Sequence, residues 1–258
     1  MTDRILTRPG ADIAYSISGS GPVVVSAHGL TSSRSNEDLL GLSPEPLAAQ
    51  HTVVRYDARG HGRSTGKLSA DDYRWSRLAD DLLALIDEVS PDAPVDAIGA
   101  SMGCGTVLHA VLRDPERFRR LVLVIPPTAW ETRSAQVAGY ETMAKVIENR
   151  GIDAFLELAA RSPNPPAVPA DLVIRPDIDE TLLPVVLRGA ARSDLPPADE
   201  IAGIAQPVLI LAWTGDPTHP LSTAERLLAL LPHARMQVAQ SPAELREWTR
   251  IEEEFLAP

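Results

Sequence analysis

The chain has 258 residues, 44% of them hydrophobic, and a formal net charge of −11 from 24 Lys+Arg against 35 Asp+Glu. That length and apolar content suit one large domain, or a core with an insertion, that buries its own core without disulfide or metal staples. The acidic balance, with no basic cluster along any segment, argues against nucleic acid or an anionic membrane surface as partner.

A single cysteine, Cys104, rules out an intramolecular disulfide. The opening stretch MTDRILTRPGADIAY has no apolar region of the kind a secretory signal needs. No apolar run reaches the roughly 18 residues of a spanning helix. A soluble, cytoplasmic protein is the expectation.

In chain order, ILTRPGADIAYSISG reads as a first strand pair. Five short runs, nearly continuous in Val, Ile and Leu, follow at Pro22–Ala27, His51–Asp57, Val95–Gly99, Arg120–Ile125 and Pro207–Trp213. Strands buried on both faces of a parallel sheet have this composition. ARMQVA (Ala234–Ala239) reads as the last strand. Helical patterns alternate with them. Trp75, Leu78, Leu82, Leu85 and Val89 fall three or four apart and make one apolar stripe. Met102 to Leu112 reads as a helix, and so does Ser222–Leu231, where Ser222 and Glu225 have capping-box spacing. Leu245, Trp248, Ile251 and Phe255 share a face in a final helix. The alternation predicts an α/β fold with a doubly wound, mostly parallel sheet.

The segment from 126 to 204 breaks the rhythm. It has no strong strand signal, helical patterns at Gln136–Asn149, Asp153–Ala160 and Ile178–Ala191, and the proline-dense run RSPNPPAVPADLVIRP. It reads as a helical cap, or lid, inserted into a core made of 1–125 and 205–258.

Three motifs carry chemistry. In DAIGASMGCG, Gly99, Ser101 and Gly103 form a G-x-S-x-G pattern between a strand and a helix, the context of a nucleophile elbow. The glycines let strand and helix approach closely, and the Met102 N–H at the start of the helix is placed to stabilise an oxyanion. In AHGLTSS, His28 and Gly29 precede Leu30, whose N–H is suited to complete the oxyanion hole. His28 itself also suits a structural hydrogen-bonding role. DARGHGRS (Asp57–Ser64) follows the next parallel strand.

These motifs, in this order, resemble the α/β-hydrolase fold superfamily, and the resemblance covers essentially the whole chain. It implies a structural role for Asp57, Arg59 and His61. It also implies that Asp216, in the Gly-Asp-Pro turn that PVLILAWTGDPTHP reaches after its strand, is the triad acid. After RLVLVI the chain reads PPT and offers no carboxylate. In this superfamily the catalytic histidine follows the last strand. Here that position reads QSPAELREWTRIEEEFLAP, without a histidine.

The six histidines can be sorted by position. His51 and His233 precede their strands and so lie at the wrong end of a parallel sheet, about 20 Å from its carboxyl edge. His109 is two turns into the elbow helix. His28 and His219 remain on the correct side, and His219, three residues after Asp216, is the candidate base. Cys104 reads as a small core residue. The chain has no ligand spacing for a metal, no P-loop and no dinucleotide fingerprint, so neither metal nor cofactor is expected.

The expected activity is that of a serine hydrolase on a small ester, thioester or lactone, with an atypical triad. Two alternatives are a non-hydrolytic lyase, cyclase or isomerase on the same fold, and a ligand-binding protein without activity. The partners expected are a small-molecule substrate and, as a homodimer, a second copy of the chain.

Overall fold

The structure, a computed structural model, describes residues 3–257. Its centre is one eight-stranded sheet. The strands are β1 (Arg4–Arg8), β2 (Ala11–Gly19), β3 (Val23–Ala27), β4 (Thr52–Tyr56), β5 (Val95–Ala100), β6 (Phe118–Val124), β7 (Val208–Trp213) and β8 (Ala234–Ala239), and their spatial order is β1-β2-β4-β3-β5-β6-β7-β8. β1 and β2 pair antiparallel, as do β2 and β4, and every later pair is parallel. The hairpin between β1 and β2 turns at Pro9-Gly10, where Gly10 takes φ +83, open to glycine without strain.

Nine α-helices are assigned among the described residues: α1 (Arg34–Leu40), α2 (Trp75–Val89), α3 (Met102–Arg113), α4 (Arg133–Ala159), α5 (Leu183–Ala191), α6 (Ala198–Ile201), α7 (Leu221–Leu230), α8 (Pro242–Arg246) and α9 (Trp248–Leu256). None of them is long and apolar enough to cross a membrane. Alternate residues of each strand feed opposite faces, as the two-residue pleat requires. From β7, Val208, Ile210 and Ala212 pack with α2, α3 and α7, while Leu209, Leu211 and Trp213 pack with α8 and α9. β5 and β7 are buried along their whole length, whereas edge strand β8 alternates between partly buried and exposed up to Val238 and is buried only at Ala239. This explains why the central strands read as continuous apolar runs and β8 did not.

Between β6 and β7 the chain makes no strand of the main sheet. Here α4 and α5 pack on each other over a small third core that includes Ala144, Ile147, Leu183 and Leu187, with Tyr73 and Leu30 against it. The buried Arg133 guanidinium ties the base of this segment together. It donates to the carbonyls of Thr128, Ala190 and Ser193 and lies over the Trp75 ring. The end of the segment joins the main core, since Leu195, Ile201 and Ile204 pack with the α2/α3 side of the sheet.

Four helical expectations are refined. Helix α4 runs through both predicted helices but breaks its helical backbone at Gly151 (φ +76). The helix expected at 178–191 begins only at Leu183, because Asp177 and Ile178 are drawn into backbone pairing with His61 and Gly62. Helix α7 starts at Leu221, one residue before the supposed capping serine, with the fixed φ of Pro220 setting its boundary and no side-chain cap. The single final helix is two, α8 and α9, meeting at Glu247.

Candidate active site

Ser101 sits where β5 turns into α3, with φ +51 and ψ −108, a left-handed-side conformation that a non-glycine residue holds only when its surroundings over-determine it. Three features do so here. The Ser101 N–H donates to Val124 O on β6 at 2.9 Å. A side chain at Gly99 would strike the backbone of Gly103, and one at Gly103 would strike the carbonyl of Ala27 on β3. Strand and helix therefore close to backbone contact and hold the serine up at the carboxyl edge of the sheet.

The loop after β7 meets it there. Gly215 turns the chain with φ +77, and the His219 N–H closes a turn onto Asp216 O at 3.3 Å. The turn folds the His219 ring back over the Asp216 carboxylate. His219 Nδ1 donates to Asp216 Oδ2 at 2.7 Å, which leaves Nε2 as the unprotonated nitrogen, and Ser101 Oγ lies 2.7 Å from it and donates to it. Asp216 accepts on both oxygens. Oδ1 takes the N–H and hydroxyl of Thr218 at 2.9 and 2.6 Å, and Oδ2 takes, besides His219, the Trp213 indole N–H at 3.0 Å. Burial pushes this carboxyl up, but the hydrogen bond and charge of His219 and the Thr218 donors outweigh it and hold it well below the usual carboxylate range. The loop is braced from β6, whose following turn donates the Thr128 N–H to Thr218 O at 2.9 Å.

Gly29 lies against Ser101, since a β-carbon placed on it would stand 3.5 Å from the serine Cβ. Leu30, next in the loop, packs with the third core beneath α4 and α5. Met102 opens α3, so its N–H has no acceptor within the helix. The His28 ring is turned away into the scaffold: Nδ1 donates to Gly29 O at 2.7 Å, Nε2 accepts the Ala58 N–H at 2.9 Å, and burial lowers its pKa. Behind the loop, the Ser32 hydroxyl donates to the buried Glu37 at 3.1 Å, and burial pushes that carboxyl up to about 7.

The remaining candidates lie elsewhere. Asp57 accepts from the Arg34 backbone and guanidinium, and Arg59 forms a two-pronged ion pair with the buried Asp81 at 2.7 and 2.8 Å. His61 is buried beside His28, and burial with that neighbour pushes its pKa down to about 3. His51 donates to Leu256 O and His109 to Asp194 O. Cys104 is fully buried, its thiol directed at the Gly99 and Val124 carbonyls and its pKa raised by burial. No group of three or more metal-ligating side chains is found among the described residues.

After β8 only Gln240 and Ser241 precede α8, and both are committed to its start. The Ser241 hydroxyl accepts the Glu244 N–H at 3.4 Å, and the Gln240 N–H donates to the Glu244 carboxylate at 2.6 Å. Two polar partners of the site were missed in the sequence. Thr218 stood in plain view between Asp216 and His219. Trp213 read only as the apolar end of a strand.

Residues 22–163, more than half of the chain, match the family model described as alpha/beta hydrolase fold. The chain is 32% identical over 114 residues to an uncharacterized hydrolase, YraK, of Bacillus subtilis, a match spanning 44% of this chain and 41% of that protein. It is 27% identical over 202 residues to 3-oxoadipate enol-lactonase 2 of Acinetobacter baylyi, covering 74% of this chain and 72% of that one. A hydrolase from Pseudomonas aeruginosa PA01 superposes with a TM-score of 0.83 over 99% of this chain and 98% of that one at 23% identity, a likeness of fold. With the parallel sheet, the serine elbow and the family match together, the chain belongs to the alpha/beta hydrolase fold family.

Proposed function

We propose that the protein is a serine hydrolase acting on a small ester, thioester or lactone, with Ser101 as nucleophile, His219 as base and Asp216 as the orienting acid. The observation that carries this reading is the unbroken hydrogen-bonded chain from Ser101 Oγ through His219 to Asp216, with 2.7 Å at each link. Nucleophile, base and orienter stand at hydrogen-bonding distance in the order the chemistry requires. The base comes from the acid's own loop, and no residue after β8 is needed.

In this mechanism Ser101 Oγ attacks the substrate carbonyl carbon and passes its proton to His219 Nε2. The Leu30 and Met102 N–H groups hold the oxyanion that forms. Asp216 keeps Nδ1 protonated and stabilises the imidazolium. The imidazolium then gives the proton to the departing oxygen or sulfur, leaving an acyl-enzyme. His219 next takes a proton from water, whose oxygen attacks the acyl carbon, and gives that proton to Ser101 Oγ as the acyl–oxygen bond breaks and the acid is released. With a lactone, the departing oxygen stays on the same product molecule. The enol-lactonase relative favours lactones among these substrates. The segment 126–204 acts as the lid over the acyl group, which is supported by the packing of Leu30 against the core beneath α4 and α5.

A fluorophosphonate probe tests the reading. Rapid phosphonylation of Ser101, seen by mass spectrometry, lost in Ser101→Ala and strongly slowed in His219→Ala, is the expected result. No adduct, together with no turnover of p-nitrophenyl acetate or γ-butyrolactone, sinks it in favour of a non-hydrolytic or ligand-binding role.

A further inference from the structure

In this fold family the resemblance assigns the base to the loop after the last strand, a loop reduced here to Gln240 and Ser241. What stands beside the acid and base instead is a pair of indoles. Trp213 is the last residue of β7 and is 5% exposed, and its ring stacks on Trp248 of α9 with centroids 6.3 Å apart and planes 20° from parallel. The edge of the same ring faces His219, with centroids 6.0 Å apart at 79°. Its N–H reaches Asp216 Oδ2, the same oxygen that accepts His219 Nδ1.

We infer that Trp213, backed by Trp248, is the positioning residue of this site, and that its indole fixes both the direction of the Asp216 carboxylate and the charge that Oδ2 offers to His219. The inference rests on the triad reading above. Its physical basis is that acid and base share one short turn, 216–219. A tilt of the carboxylate therefore moves the base with it, and the two cannot be corrected independently. Thr218 holds Oδ1 from within the turn itself. Trp213 is anchored outside the turn, in β7, where Leu211, Ala212 and Trp213 pair with β8, and its stack ties the turn to the C-terminal helix. The proline-rich run closes over the same place: Ala167 and Val168 pack in the cluster that holds both indoles, and Pro166 abuts Gly215. Hydrogen bonds to a charged group are among the strong ones, and a buried aromatic pair is rigid at little entropic cost.

Trp213→Phe separates this role from packing, because it keeps a stacking ring and removes only the N–H and the second ring's edge. With p-nitrophenyl butyrate as substrate, kcat is expected to fall about 10- to 30-fold while KM changes less than about twofold. The acidic limb of kcat/KM is expected to lie at higher pH than in wild type, since Oδ2 then offers its charge to the imidazolium alone. A kcat within about twofold of wild type, or a fall in kcat with the acidic limb unmoved, overturns the inference. A second measurement needs no variant of the tryptophan. In protein labelled with ¹⁵N-tryptophan, one indole N–H resonance is expected to shift on Asp216→Asn, and no indole shift also overturns it. Wild-type turnover and its loss in Ser101→Ala decide the triad reading separately, so failure of one is distinguishable from failure of the other.

Discussion

His219 is the residue whose role spacing alone could not settle. Three residues after Asp216, it reads as part of a plain turn or as a base, because ring direction depends on how the turn closes. The turn closes through the His219 N–H onto Asp216 O, which lays the imidazole over the carboxylate. Ser101 was easier to read, since glycines on both sides of a serine between a strand and a helix leave little else to do. Trp213 was not legible, because a tryptophan ending an apolar strand looks like core until its N–H is seen to point at Asp216. The proposed roles predict distinct kinetics. His219→Ala is expected to lower kcat by roughly 10⁴-fold or more, and Asp216→Asn by roughly 10³- to 10⁴-fold, with KM nearly unchanged. The double variant should be little worse than His219→Ala alone, because residues that act as a unit are not additive. Full additivity in pre-steady-state acylation of Ser101 would mean that the two do not act together.

Among the elements, the strands were the most legible, since burial on both faces leaves a continuous Val, Ile and Leu signature that no surface helix shares. Boundaries shifted where a local contact overruled periodicity: Gly151 breaks α4, and Asp177–Ile178 leave helical geometry to pair with the 61–62 loop. The helix after β8 was legible as starting near Pro242, where α8 begins, but the Ser241 and Gln240 contacts to Glu244 that fix its start were not. The elbow is the element most sensitive to volume. A methyl group at Gly103 would press on the Ala27 carbonyl of β3, and backbone cannot yield as a flexible side chain can. Gly103→Ala is therefore expected to cost about 2–3 kcal/mol or more, read as a lower midpoint in urea with an unchanged slope. An unaltered midpoint would show that β3 and α3 leave room for a methyl group at this position.

Across the whole molecule, buried titratable groups set how stability follows pH, and two sets pull in opposite directions. His28 and His61 are buried neutral with lowered pKa values. The stability they contribute is complete above about 6.5, their ordinary value, and is lost as pH falls, toward about 3 for His61. Glu252 on α9 behaves in the opposite sense. It is 8% exposed, and burial, with Glu37 and Glu253 nearby, raises its pKa from 4.5 to about 8. The folded chain then holds this proton where the unfolded chain has lost it. Its contribution is complete below about 4.5 and disappears as pH rises to about 8, where the buried carboxylate must ionise or the fold must open around it. Glu252→Gln keeps the shape and never ionises. At pH 5 the variant and wild type should melt within about 1–2 °C of each other. At pH 9 the variant should melt higher, by about 3–6 °C. The difference between the two proteins is the proper readout, because the histidines and the overall acidic charge act on both alike. A variant that melts lower than wild type at pH 9 would show instead that the Glu252 carboxylate is satisfied in the fold, and that the high-pH loss must be sought at Glu37, behind the loop that faces Ser101.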